Sequence, residues 1–131
     1  MDRKQLIKKL DKVVSEVVRR AYSRDGIATC YTCGKQAPWQ EMDCGHYVKR
    51  RFLNTRWEID NLRPQCPMCN RVLGGNYERY TQNLIREKGQ NEPDRLWRQA
   101  RENKKLSNIE LEEMLNEWKS ILKTIKKDQV E

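Results

Sequence analysis

Cys30-Tyr31-Thr32-Cys33 and Cys66-Pro67-Met68-Cys69-Asn70 are the two stretches that decide the fold. Each sets two thiols across one tight turn, close enough to share a tetrahedral ion, and two such turns complete a four-thiolate shell. Five cysteines in two tight pairs plus one leftover read poorly as a disulfide framework. They read well as one structural Zn2+ held by Cys30, Cys33, Cys66 and Cys69. Such a shell is closed and leaves no position for water, so this ion is expected to staple the chain rather than to catalyse. A thioredoxin-like redox motif is the weaker rival, since a single Cys-x-x-Cys would serve it. Cys44 lies outside both pairs and reads as a small packing residue.

The 32 residues between Cys33 and Cys66 exceed the about 15 to 20 of a plain zinc ribbon. This insertion carries Asp43-Cys44-Gly45-His46, with the only histidine of the chain, then Lys49-Arg50-Arg51, then Asn61. Residues 27–70 are rich in Cys, Gly, Pro and aromatics and cannot bury enough apolar surface alone, so a metal must organise them. Gly34, after the first pair, suits a knuckle turn that needs positive φ. Residues 39–48 are expected to form a hairpin with a bulge at Gly45, beside His46.

Outside the insertion the pattern is helical. Leu6, Leu10, Val13, Val14, Val17, Val18 and Ala21 make an apolar stripe over residues 3–23, closed by Gly26. Tyr77 to Lys88 reads as a helix stopped by Gly89, and Pro93 marks the first turn of another reaching about Asn103. Ser107-Asn108-Ile109-Glu110 has capping-box spacing before a stripe of Leu111, Met114, Leu115, Trp118, Ile121, Leu122 and Ile125. The expected organisation is an N-terminal amphipathic helix (1–25), a metal-organised core (26–90) and a C-terminal helical extension (91–131).

The chain has 131 residues, 37% hydrophobic and 35% charged, a thin core of the kind that a structural metal supports. Lys plus Arg is 27 against 19 for Asp plus Glu, a formal charge of +8 that favours a polyanionic partner. Charge alone does not separate DNA from RNA or anionic lipid, and solubility is the bland alternative. No apolar run reaches the length of a membrane span, and Met1-Asp2-Arg3-Lys4 does not open a signal peptide. The expectation is a protein of a reducing cytoplasm with no membrane partner.

Read together, these residues resemble the HNH, or ββα-metal, endonucleases, and most closely the lambdoid phage NinG family, also called Rap, of recombination nucleases acting on branched DNA. The resemblance rests on Cys30-x-x-Cys33, Asp43-Cys44-Gly45-His46-Tyr47, Arg56-Trp57, Asp60-Asn61-Leu62, Gln65-Cys66-x-x-Cys69-Asn70 and Gly75-Asn76, over residues 28–90. It implies an α+β fold: a zinc-bracketed ββα core with a His-Asn-Asn site, flanked by N- and C-terminal helices. It implies that His46, on the second strand, is the general base on the attacking water. Asn61, in the loop before the helix, would orient that strand and the His46 ring. Asn70 would begin the helix and, with Asp43, hold a catalytic Mg2+ or Mn2+. Many HNH motifs have Asp directly before His; here Gly45 stands there, and an exposed turn aspartate is the alternative for Asp43.

Such chemistry suits these residue types. Hard oxygen ligands leave a metal open to phosphate and water, and an imidazole can take the water's proton. Lys49, Arg50, Arg51, Arg56, Arg63 and Arg71 would bind DNA phosphates, against the alternative of a solvated basic face. Trp39 and Trp57 fit either a core or base stacking. Met114 and Trp118 read as core or dimer contact. The implied function is a metal-dependent endonuclease for branched intermediates such as Holliday junctions or D-loops. It would work in the cytoplasm of a bacterial host, beside phage recombination proteins. The apolar stripes at residues 6–21 and 109–125 exceed what a small zinc core needs, and a homodimer formed through these terminal helices is expected from them. The rivals are a non-catalytic zinc-dependent DNA-binding accessory or regulatory protein and a zinc-stapled scaffold for protein contacts.

Overall fold

The computed structural model describes residues 1–129. The first helix, α1 (Arg3–Ala21), starts at a capping box in which the Asp2 side chain accepts from Gln5 N and the Gln5 side chain accepts from Asp2 N. It stops two residues short of the expected end because Asp25 and Gly26, both at positive φ, form a two-residue turn joining β1 (Ser23–Arg24) to β2 (Ile27–Thr29). With β3 (Gln36–Pro38) these make a small antiparallel sheet in the order β1-β2-β3.

A second sheet holds the insertion. Strand β4 (Asp43–His46) pairs antiparallel with β5 (Leu62–Gln65), in an unbroken register from Asp43↔Gln65 to His46↔Leu62. The hairpin expected over 39–48 is absent: Trp39–Glu41 is a single 3-10 turn, and the partner of β4 comes from beyond a connection containing α2 (Leu53–Arg56). There is no bulge at Gly45 either. That glycine is required because a Cβ there would stand 2.6 Å from Gln65 Cδ. After β5 the chain makes one wide turn, Met68–Val72, closed by Leu73 N donating to Met68 O, and only then enters α3 (Tyr77–Lys88). Helices α4 (Glu92–Ala100) and α5 (Asn108–Gln129) follow, α4 with Pro93 in its first turn and α5 with the expected Ser107–Glu110 box.

Three apolar clusters hold the protein together. Leu6, Leu10, Val14 and Val18 of α1 pack with Trp57, Leu62 and, from α5, Leu111 and Leu115. Arg3 meets Asn108 at one end of this helix pair and Arg20 meets Gln129 at the other, so α1 and α5 run parallel. Tyr47, Val48, Tyr80, Leu84, Leu96 and Ala100 join the end of β4 to α3 and α4. Ala28 and Met42 pack with Cys30, Cys66 and Cys69, and Trp39 leans on them. The architecture is α+β, with two small sheets amid helices. None of the described helices is long and apolar enough to cross a membrane.

Candidate functional site

The four paired cysteines converge. Their Sγ atoms all lie within 4.8 Å of one another, and Cys33 Sγ is 3.7 Å from Cys66 Sγ. Four thiolates at roughly 2.3 Å from a tetrahedral zinc stand about 3.8 Å apart, so the spacing fits that ion. Cys30 follows β2 directly, and the turn after it closes through Gly34 N onto Cys30 O, with Gly34 at φ +82. Cys66 follows β5 directly, and Asn70 N closes its turn onto Cys66 O. Lys35 N, Cys69 N and the Asn76 amide donate to Cys33, Cys66 and Cys69 sulfurs at 3.4–3.5 Å, the outer donors that orient thiolate ligands. Burial disfavours the thiolate of Cys30, but hydrogen bonds from Thr32 and from backbone outweigh it and bring this thiol down to about 6. Gln65 ties the turns together by donating to Thr32 Oγ1 and Gly75 O. Cys44 stands outside the cluster; it packs on the α1–α5 core, and burial pushes its thiol up to about 12.

Beside this cluster lies a cavity of about 460 Å³ lined by Asp43, His46, Asn70, Arg50 and Arg71, and by Asp11 and Arg19 of α1. His46 is the last residue of β4, the first strand of its pair rather than the second. Its Nε2 donates to Arg56 O at 3.0 Å. Burial, then the nearby Arg50 charge, lowers its pKa to about 4, so the ring is neutral near pH 7. Strand alternation sends Cys44 and His46 to one face and Asp43 and Gly45 to the other, yet Asp43 and His46 both line the cavity. Asp43 is not a free turn carboxylate. It accepts a two-pronged pair from Arg71 (2.8 Å each) and a third bond from Asn70 Nδ2 at 3.0 Å. Asn70 sits within the turn Met68–Val72 instead of opening a helix, because Gly74 and Gly75, both at positive φ, end the turn before α3.

Asn61 does not touch the cavity. It ends a 3-10 turn ahead of β5 and is fully buried. Its Oδ1 accepts from Val48 N at 2.7 Å, and its Nδ2 donates to Val48 O and Thr55 O at 3.0 Å. It therefore pins the chain leaving β4, just beyond His46, to the α2 segment.

The basic residues divide. Lys49, Arg50, Arg51 and Arg71 are exposed; Arg50 and Arg71 line the cavity, whereas Lys49 donates to Gly74 O and Arg51 lies over the Phe52 ring, both outside its lining. Arg56 is half-buried and forked onto Asp11. Arg63, expected at the phosphate-binding surface, is 1% exposed: it pairs with Glu87 and donates to Leu62 O, so it belongs to the interior. Trp57 is buried and donates to Asp11, which excludes base stacking by it. Trp39 is half-covered under the guanidiniums of Arg19 and Arg20. Sequence reasoning missed Asp11 and Arg19. The available signal for Asp11 was its isolation, as the only acid between Arg3 and Ser15 of a basic helix. Hydrogen bonds from Arg56 and Trp57 outweigh its burial and hold its carboxyl below the usual range.

Fold and site thus define an α+β protein in which a four-cysteine cluster that could hold zinc braces a basic-rimmed cavity around a lone histidine. The family model described as bacteriophage lambda NinG protein matches residues 1–129, and the chain belongs to the NinG family. No curated protein and no solved structure matches it.

Proposed function

We propose that this NinG-family protein is a divalent-metal-dependent DNA endonuclease acting on branched recombination intermediates such as Holliday junctions or D-loops. One observation carries the reading: the only histidine, neutral and anchored on the Arg56 carbonyl, opens on the same cavity as Asp43 and Asn70. A binding module needs no neutral imidazole beside a carboxylate and an amide.

In this reading Zn2+ at Cys30, Cys33, Cys66 and Cys69 is structural, and β4, β5 and the following turn and helix act as the ββα unit. Asp43 and Asn70 offer the hard oxygen ligands that Mg2+ or Mn2+ prefers, with water and substrate phosphate completing the shell. They fit a cation, since Asp43 already holds the cationic Arg71; that side chain is 70% exposed and free to swing to a phosphate. The bound ion would supply charge neutralisation at the scissile phosphate. His46 takes a proton from the attacking water, and the Arg56 carbonyl keeps its ring oriented. Asn61 is a positioning residue that holds the segment after β4. Lys49, Arg50, Arg51 and Arg71 bind phosphates.

A junction offers two opposed strands, so the reading includes two copies acting together. The stripes at residues 6–21 and 109–125, expected to form that contact, bury Leu6, Leu10, Val14 and Val18 against Leu111 and Leu115 within one chain. The pairing surface would lie elsewhere, and phage recombination proteins are proposed as further partners.

The test is cleavage of a four-way junction against linear duplex with Mg2+ or Mn2+. Wild type should cut the junction. His46→Ala should bind it but cut on the order of 10²–10⁴ more slowly. Asn70→Ala should lower the rate with zinc content unchanged. Junction binding without cleavage by wild type would leave the non-catalytic DNA-binding reading instead.

A further inference from the structure

On the far side of Trp57 from the cavity just described, a second depression of about 710 Å³ runs between α5 and the α2–α4 side of the protein. Its charge is the reverse of the chain's. Glu58, Glu102, Glu110, Glu113 and Glu117 line it against one basic residue, Lys104, in a chain with 27 basic and 19 acidic residues. Among the described residues none of these five carboxylates is in an ion pair, although lysines and arginines outnumber acids.

The floor is apolar. Met114, Trp118, Ile121 and Ile125 recur at alternating spacings of four and three along α5, the rhythm that receives the apolar face of another helix. Ile121 is 44% exposed and Ile59, on the opposite wall, 39%. From Glu110 to Ile125 the lined stretch of α5 is roughly 22 Å long, about four helical turns.

We propose that this groove docks a basic amphipathic helix of a partner protein, its apolar face on Met114, Trp118 and Ile121 and its flanking Lys or Arg side chains on the acidic rim. Nucleic acid is excluded as the occupant because its phosphates would meet five carboxylates. A second copy applied groove to groove would set the same five carboxylates against themselves, so the contact is heterologous in chemistry. The proposal stands apart from the nuclease reading, which concerns the opposite side of Trp57.

The probe is a labelled synthetic peptide of about four turns (~15 residues), built from leucine and lysine at amphipathic spacing, with a scrambled peptide of equal composition and charge as control. Fluorescence anisotropy should show the full-length protein binding the amphipathic peptide at least about tenfold more tightly than the scrambled one. Glu113→Lys/Glu117→Lys should lose that preference while circular dichroism and DNA binding stay unchanged or DNA binding rises. Trp118→Ser, if folded, should lose it without the charge change. Equal binding of the two peptides, or an unaltered preference in the charge-reversed protein, would overturn the proposal. So would sedimentation showing that the free protein is a dimer which Trp118→Ser converts to a monomer.

Discussion

At the scale of single residues, the tightest constraint is between Gly45 and Gln65. A Cβ at position 45 would press into a buried amide that is already committed to Thr32 Oγ1 and Gly75 O. Overpacking of this kind costs roughly 1–3 kcal/mol, so Gly45→Ala should lower the unfolding free energy measured by urea denaturation by that amount, and Gln65→Ala in the same chain should recover part of it. His46 gives a second prediction. Its folded pKa, about 4, lies below the ordinary 6.5, so between those values the unfolded chain binds the extra proton. Stability is full above pH 6.5 and falls as pH drops toward 4, by on the order of 3 kcal/mol. As this is the only histidine, urea denaturation across that window should show a slope that His46→Gln removes; an unchanged slope would assign it to other groups.

At the scale of elements, α1 contributes a wall to the cavity as well as a stripe to the core. Asp11 receives the Arg56 fork and the Trp57 indole, and Arg56 in turn supplies the carbonyl that anchors His46. Asp11→Ala should therefore cost about 1.5–3 kcal/mol in thermal denaturation, as loss of hydrogen bonds to a charged group does. It should also leave the His46 ring less restrained, which its imidazole proton resonance would report by broadening. Little of this was readable from the chain. The apolar stripes of α1, α3 and α5 and the two thiolate turns are local patterns, so periods and spacings disclosed them. The partner of β4 is not local: Asp43 meets Gln65 across an excursion whose ends no turn signal ties together, and a hairpin over 39–48 looked as good. Arg63 and Arg56 carried the same charge signal as Arg50 and Arg51. What separated them was Glu87 and Asp11, one 24 and the other 45 residues away.

At the scale of the whole molecule, the four-cysteine cluster joins the ends of both sheets, since Cys30 follows β2 and Cys66 follows β5. Cys30, Cys66 and Cys69 are buried and Cys33 is exposed, and with so small an apolar surround, Ala28 and Met42 chiefly, the cluster has little else to hold it. Cys66→Ser, or a strong chelator, should therefore release any bound zinc and cost much of the folded signal by circular dichroism. Retention of the full thermal transition after chelation would show that packing alone sustains the core.

The parallel pairing of α1 with α5 has a consequence in time. Helix α1 leaves the ribosome before α5, and Leu111 and Leu115, which cover its apolar stripe, are made roughly ninety residues later. At about 5–20 residues per second that interval is roughly 5–20 s. During it a greasy, cationic helix stands open to any chaperone, neighbouring nascent chain or ribosomal RNA, and a chain cut short before Asn108 would leave it so permanently.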